Sequence, residues 1–170
     1  MRRNLEIVAN VTVISMALVV GFVVLTDYVR SYHTSHSIAA GDRIANIPGV
    51  DWTQHPRTLV LALNTNCHYC QDSLPFYQKL AQAQGSGSED LELVAAFPND
   101  AKQVRKFTRD EPLPIKSVSS VAFDKWHVAG TPTLLLVDAQ GRVERTWVGI
   151  LTARQELELL AIVSGTNEKQ

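Results

Sequence analysis

The stretch that decides the fold runs from Thr58 to Leu80 and reads TLVLALNTN-CHYC-QDSLPFYQKL. An apolar run of strand length leads into a short polar turn, and apolar residues then recur at helical spacing: Leu74, Tyr77, Leu80 and Ala81. The only two cysteines of the chain, Cys67 and Cys70, stand where the turn becomes the helix. The stretch therefore predicts a buried strand followed by a helix that begins at a Cys-x-x-Cys motif.

A Cys-x-x-Cys pair on the first turn of such a helix is the arrangement of thiol–disulfide chemistry. The free N–H groups and the positive end of the helix dipole stabilise a thiolate on the first cysteine. We therefore predict Cys67 as the attacking thiol, and Cys70, one turn further in, as the buried thiol that resolves the mixed disulfide. A protonated His68 between them would favour the Cys67 thiolate and make the disulfide more oxidising.

Alternatively, the two cysteines could form half of a structural zinc site, which would need two more ligands. Besides His68, the candidates in the folded part are His55 and His127, and neither is spaced as a ligand pair. His33 and His36 could share a metal ion in principle, but two ligands do not close a site. The pattern favours redox chemistry, with no metal ion and no cofactor.

Composition limits the remaining possibilities. The 170 residues carry 16 Lys and Arg against 17 Asp and Glu, and these charges are scattered, without the basic stripe that nucleic-acid binding needs. Two cysteines three residues apart cannot form a disulfide framework, so the fold must rest on an apolar core. The length allows one domain and a short appendage. The oligomeric state stays open.

The N-terminal region contains an uncharged run, Ile7 to Leu25, of about the length that crosses a bilayer as a helix. A cleaved signal peptide is the alternative, but its apolar part usually spans only about 7–15 residues. Arg2 and Arg3 favour an N-terminus inside the cytoplasm. We predict a membrane anchor over residues 1–30, a linker over 31–41 and a folded domain over 42–166, on the extracytoplasmic (periplasmic) side of the cell membrane.

The middle of the chain alternates strand and helix patterns. A second strand, Leu91 to Phe97, is apolar on both faces, and a helix capped by Asn99 or Asp100 follows it. A short extended piece within Ile115 to Ala122 comes next, and then a helical turn from Phe123 to His127. Core positions are predicted for Trp126 and Trp147, and a core or rim position for Trp52.

The last third of the chain predicts a hairpin, with strands at Leu134 to Asp138 and Val143 to Val148. Thr152 caps the final helix, whose predicted buried face comprises Leu157, Leu160 and Ala161. The element order is β-α-β-α followed by β-β-α. It predicts an α/β fold in which a crossover joins parallel strands and a helix closes an antiparallel hairpin.

With these elements in this order, the chain resembles thioredoxin-fold proteins, and more closely the membrane-anchored TlpA/ResA-like thiol–disulfide oxidoreductases of bacteria. Four features between Asp42 and Ser164 carry the resemblance: the Cys67-His68-Tyr69-Cys70 motif, Pro75 in the helix behind it, Thr131-Pro132-Thr133 before a strand, and Gly149 after the last strand. The resemblance implies a central mixed sheet flanked by helices, preceded by one N-terminal transmembrane helix. It also implies a cis Thr131–Pro132 peptide that faces the cysteines and binds the substrate.

The chain departs from the family pattern around the motif. Asn66 replaces the usual Trp before the first cysteine, and Tyr69 replaces the usual Pro between the cysteines. Leu61 stands where thioredoxins carry a buried acid, and Ser73 where ResA-like proteins carry a Glu. In the family these acids assist proton transfer at the second cysteine. The departures therefore bear on rate and redox potential more than on the exchange chemistry.

The function that we predict is an enzyme: a membrane-tethered thiol–disulfide oxidoreductase that exchanges disulfides with extracytoplasmic protein thiols. One alternative is a thioredoxin-fold binding or assembly module without turnover, which the intact cysteine pair disfavours. The other is an antioxidant thiol peroxidase of the peroxiredoxin type. Peroxiredoxins usually carry a Thr three residues before the reactive cysteine, and Asn64 has that place here. The direction of exchange, reducing or oxidising, stays open.

Overall fold

The computed structural model describes residues 14–24, 26, 37–85 and 90–165. The chain divides into two compact units, Met1–His36 and Ser37–Gln170. In the first unit, residues 14–24 are helical and their side chains are exposed. Within the described residues, no helix combines the length and the apolar character needed to cross a membrane. The remainder of the predicted span, residues 7–13 and 25, lies outside the described part, as do His33 and His36.

The second unit is built on a five-stranded mixed sheet. Its strands are β1 (Arg57–Ala62), β2 (Leu91–Phe97), β3 (Ser117–Ser120), β4 (Thr133–Asp138) and β5 (Val143–Val148). They lie in the order β3-β2-β1-β4-β5. The strand before the motif, β1, is central and pairs parallel with β2 and antiparallel with β4. The outer pairs are parallel for β2 with β3 and antiparallel for β4 with β5, which confirms the predicted crossover and hairpin.

Four α-helices accompany the sheet: α1 (His68–Asp72), α2 (Leu74–Gly85), α3 (Ala101–Asp110) and α4 (Ala153–Val163). The single helix predicted behind the motif is two helices, separated at Ser73. The N–H of Ser73 closes α1 on the carbonyl of Tyr69, and the carbonyl of Ser73 starts α2 by accepting from Phe76 and Tyr77. Pro75 explains the break, because it has no N–H to continue the α1 ladder.

Two apolar clusters cover the two faces of the sheet. Leu59, Leu61 and Leu63 belong to one cluster, together with Cys70, Tyr77 and the buried residues of the helices. Val60 and Ala62 belong to the other, together with Trp52 and Trp126. Alternate residues of a strand point to opposite faces, so β1 is apolar throughout because both of its faces are covered. The core positions predicted for Trp126 and Trp147 are confirmed, and Trp52 is buried as well.

The compact unit begins at Ser37, a few residues before the predicted domain start at residue 42. Ile38 is buried, and its N–H donates to the carbonyl of His127 at 3.1 Å. The N–H of Gly41 donates to the carbonyl of Val143 at 2.8 Å. Composition predicts residues 37–41 as linker, but these backbone hydrogen bonds join them to the folded domain.

The buried face of α4 differs from the sequence prediction. Leu157 is 68% exposed, whereas Leu159, Ile162 and Val163 are buried. The predicted stripe and the observed one have the same spacing but differ by two residues, which is about 200° around a helix. Because α4 is apolar on nearly all sides, spacing alone does not select the face. The structure selects the Leu159 face for packing against α2 and leaves Leu157 outside.

The buried Leu159 and the exposed Leu157 of α4 should contribute differently to stability. Leu159→Ala removes a fully buried side chain and should lower the free energy of unfolding by about 2–5 kcal/mol. Leu157→Ala makes the same chemical change two residues away, at an exposed position, and should change it by less than about 0.5 kcal/mol. Urea unfolding followed by circular dichroism measures both. Equal losses for the two variants would contradict the observed helix face.

Candidate active site

The register of β1 against β4 brings two distant segments of the chain to one edge of the sheet. Ala62, the last residue of β1, lies opposite Thr133, the first residue of β4. The loop that leaves β1 towards Cys67 and the loop that enters β4 through Thr131 and Pro132 therefore meet at this edge. The predicted motif and the predicted proline loop are brought together by strand pairing alone.

The polar turn before Cys67 is held by its own side chains. Asn64 accepts the N–H of Asn66 with its side-chain oxygen at 2.9 Å, and its carbonyl accepts the N–H of Cys67 at 3.0 Å. The N–H of Thr65 donates to the side-chain oxygen of Asn99 at 3.0 Å. The Asn64 side chain, at the position where a peroxidase would carry Thr, is thus used to shape the turn.

Asn99 is a site residue that the sequence does not identify. Sequence offers Asn99 or Asp100 as the cap of α3, and Asp100 is the cap, accepting the N–H groups of Lys102 and Gln103. Asn99 instead ties the turn before Cys67 to the loop after β2, and its carbonyl accepts the hydroxyl proton of Ser120 on β3. No spacing pattern predicts this bridge, because its partners are more than twenty residues apart.

Cys67 is the N-cap of α1. Its sulfur accepts the N–H of Cys70 at 3.2 Å, which is the hydrogen bond that a capping side chain makes at a helix start. On the other side, the Cys67 thiol donates to the carbonyl oxygen of Thr131 at 3.2 Å. The first cysteine therefore lies between a helix N-terminus and the proline loop, as predicted.

The Thr131–Pro132 peptide is cis, which confirms the prediction from the family resemblance. Thr131 is half-buried and Pro132 is buried. The carbonyl of Pro132 accepts the N–H of Gly149 at 2.8 Å, and the hydroxyl of Thr133 donates to the carbonyl of Gly130 at 2.7 Å. These bonds fix the loop against the end of β5, and Gly149 meets this bond with φ +81°, a conformation that favours glycine.

The two cysteines are free thiols in different environments: Cys67 is partly exposed and Cys70 is completely buried. Partial burial raises the pKa of Cys67, but hydrogen bonds from Cys70, the Thr131 side chain and the N–H groups of Cys70 and Tyr69 outweigh it, so the net pKa is lowered. Burial, followed by the hydrogen bond with Cys67, raises the pKa of Cys70 to about 12. Of the two thiols, Cys67 is therefore the one that ionises at the lower pH.

The residues between the cysteines are both exposed. The His68 imidazole lies 3.1 Å from the Asp72 carboxylate, one turn along the helix, and the described contacts include no hydrogen bond from it to Cys67. Tyr69 is 56% exposed and its ring lies 5.8 Å from that of His68. A modulating influence of His68 and Tyr69 on Cys67 stays a prediction. Across residues 14–24, 26, 37–85 and 90–165, no group of three or more His, Cys, Asp or Glu could hold a metal ion.

The positions of the missing family acids are occupied by uncharged groups. Leu61 is completely buried in the middle of β1. The hydroxyl of Ser73 donates to the carbonyl of Tyr69 at 2.8 Å. Tyr77 of α2 is also completely buried. Burial is the largest cause of the raised pKa of Tyr77. The Ser73 side chain lowers this pKa, and charge on Cys70 and then on Cys67 raises it. The helical spacing of apolar residues predicts Tyr77 only as part of the apolar face of the helix.

No protein-family model and no curated protein sequence matches the chain. Solved structures do resemble it. One from Chlorobium tepidum, described as a thiol:disulfide interchange protein DsbE, has 23% identity and a TM-score of 0.59, and the match covers 75% of this chain and 99% of that one. StoA from Bacillus subtilis has 22% identity and a TM-score of 0.54, with 72% and 98% covered.

A third similar structure is the thioredoxin domain of a thiol-disulfide oxidoreductase from Bacteroides vulgatus. It has 13% identity and a TM-score of 0.54, and the match covers 75% of this chain and 96% of that domain. The structural neighbours are thus thiol–disulfide oxidoreductases and thioredoxin-like proteins, and each is covered over nearly its whole length. Together with the mixed sheet and the helix that begins at Cys67, they show that this chain has the thioredoxin fold.

Proposed function

We propose that this chain is a thiol–disulfide oxidoreductase that is tethered to the membrane and exchanges disulfides with extracytoplasmic protein thiols. The observation that supports the proposal best is the contrast between the cysteines: Cys67 is accessible with a lowered pKa, and Cys70 is buried with a raised pKa. Because the thiolate is the nucleophile in exchange, this contrast supports attack by Cys67. The uncharged run from Ile7 to Leu25 supports the membrane tether, and Arg2 and Arg3 before it support the orientation.

The exchange uses both thiols in turn. The Cys67 thiolate attacks a substrate disulfide, one substrate sulfur leaves, and a mixed disulfide joins Cys67 to the substrate. Cys70 then loses its proton and attacks the Cys67 sulfur, which releases the second substrate sulfur and leaves the Cys67–Cys70 disulfide. A substrate segment bound at Thr131, in the manner of an added strand, would bring its disulfide to Cys67. The reverse sequence oxidises a substrate dithiol.

Separate replacement of the two cysteines tests these roles. Cys70→Ser should stall the reaction at the mixed disulfide and trap Cys67 covalently on protein partners, because the resolving thiol is absent. Cys67→Ser should abolish both trapping and the dithiothreitol-driven reduction of a disulfide-bonded protein such as insulin. Non-reducing gels and the reduction assay measure the two effects, and the double Ser variant is the control. A binding module would show no turnover in the unmodified chain.

The pH dependence of alkylation tests the ionisation of each thiol. In the reduced protein, Cys67 should react with iodoacetamide at a lower pH than an ordinary thiol does, and its rate should fall as the pH drops through its lowered pKa. Cys70 should stay unmodified until the pH approaches about 12. Mass spectrometry of the modified peptides reads each site, and urea-unfolded protein, with both thiols exposed, is the control. Faster reaction of Cys70 near neutral pH would contradict the assignment.

A reporter fusion tests the tether and its orientation. An enzyme that is active only in the cytoplasm, fused after Gln170, should show little activity, because Arg2 and Arg3 favour an extracytoplasmic domain. The same fusion without residues 1–30 should regain activity and serves as the control. High activity of the full-length fusion would contradict the proposed location, without bearing on the exchange chemistry.

A further inference from the structure

The hydrogen bond between Thr65 and Asn99 joins two loops that leave the same edge of the sheet. The strands before them, β1 and β2, are parallel neighbours, and Ala62 pairs with Ala96 at their ends. The N–H of Leu63 then donates to the carbonyl of Ala96 at 2.9 Å. The loop that leads to the first cysteine and the loop that carries Asn99 therefore begin side by side.

Three successive backbone N–H groups of the first loop are all paired. The side-chain oxygen of Asn64 accepts the N–H of Asn66 at 2.9 Å, and the carbonyl of Asn64 accepts the N–H of Cys67 at 3.0 Å. The N–H of Thr65 donates to the side-chain oxygen of Asn99 at 3.0 Å. The first two bonds lie within the turn and fix its shape, whereas the third connects the turn to the rest of the fold.

Asn99 is itself held on both sides. Its carbonyl accepts the hydroxyl proton of Ser120, the last residue of β3. The next residue, Asp100, caps α3 by accepting the N–H groups of Lys102 and Gln103. Asn99 is half-buried, and its backbone is fixed between a strand and a helix. Its side-chain oxygen is therefore a fixed point to which the turn is attached.

The position of the turn matters because the Cys67 sulfur depends on hydrogen bonds on two sides. The sulfur accepts the N–H of Cys70 at 3.2 Å, and the thiol donates to the carbonyl of Thr131 at 3.2 Å. Hydrogen bonds weaken steeply when distance or angle departs from the optimum. Burial raises the pKa of Cys67 and hydrogen bonds outweigh it, so the reactivity of this thiol depends on its place at the helix start.

We propose that Asn99 is a positioning residue for the exchange reaction: its side-chain oxygen holds the turn through the N–H of Thr65, and so keeps the Cys67 sulfur at the N-terminus of α1 and against the proline loop. The inference rests on the proposed exchange activity. Among the described residues, the hydrogen bonds of Asn99 go to Thr65 and Ser120. Asn99 therefore acts on the sulfur through the backbone of the turn.

The variant Asn99→Leu keeps the approximate size of the side chain and removes the acceptor of the Thr65 N–H. In the reduced full-length chain, alkylation of Cys67 by iodoacetamide should shift to higher pH. Its rate at neutral pH should fall roughly three- to tenfold, as for the loss of one hydrogen bond between uncharged groups. Mass spectrometry of the modified peptide measures this rate. The Thr65 amide should also exchange its proton with solvent faster, which hydrogen exchange followed by NMR measures.

Asp100→Ala is the matched control. It removes the neighbouring side chain, which accepts two backbone N–H groups at the start of α3. This control should lower the melting temperature through the lost helix cap and leave the pH profile of Cys67 and the exchange of the Thr65 amide unchanged. If Asn99→Leu also lowers the melting temperature but leaves the Cys67 profile unchanged, its role is only structural and the proposal is overturned.

Two further measurements separate the possible causes. Asn99→Ala should shift the Cys67 profile in the same direction as Asn99→Leu, because both lack the acceptor. In the unmodified chain the Thr65 amide should be protected, and exchange as fast as in an unfolded peptide would overturn the proposal. Reduction of insulin by the unmodified chain is measured alongside. Its absence would count against the exchange activity, whereas the alkylation profiles decide the positioning role independently.

Discussion

The burial of β1 on both faces is the constraint on which the rest of the structure depends. A strand that is apolar on both sides must lie inside the sheet, between β2 and β4. Its end then meets the beginning of antiparallel β4, because Ala62 pairs with Thr133. The turn that carries Cys67 and the loop that carries Thr131 therefore lie next to each other. The geometry of the site is thus a consequence of the core, and few contacts are needed at the surface to assemble it.

The same core separates the two cysteines chemically. Cys67 caps a short helix that begins at the sheet edge, so its sulfur meets backbone N–H groups and solvent. Cys70 is one turn further along and faces the cluster that contains Leu74 and Tyr77. One helical turn is enough to lower the pKa of one thiol and to raise the pKa of the other to about 12. Burial is the largest cause of the raised pKa of Cys70.

Sequence predicts the elements and most of the site, and it misses what depends on distant partners. The strands, Cys67, Cys70 and the cis Thr131–Pro132 peptide follow from local patterns and the family resemblance. The face of α4 does not, because its apolar residues fit two stripes and only packing separates Leu157 from Leu159. Asn99 is missed for a similar reason, because its hydrogen bonds join parts of the chain that are distant in sequence.

The lack of charged groups around the thiols has its own consequence. Burial is the largest influence on the pKa of each thiol. Within the described residues, the other influences come from the cysteines, backbone N–H groups and the Thr131 side chain, with none from Asp, Glu, Lys, Arg or His. A buried carboxylate at Leu61 would titrate together with the thiols and would itself need a partner. Leucine at this position avoids both, because it carries no ionisable group. The pKa values at this site are therefore set by burial, by the interaction of the two thiols and by uncharged hydrogen-bond donors, and burial is the largest cause of the raised pKa of Cys70.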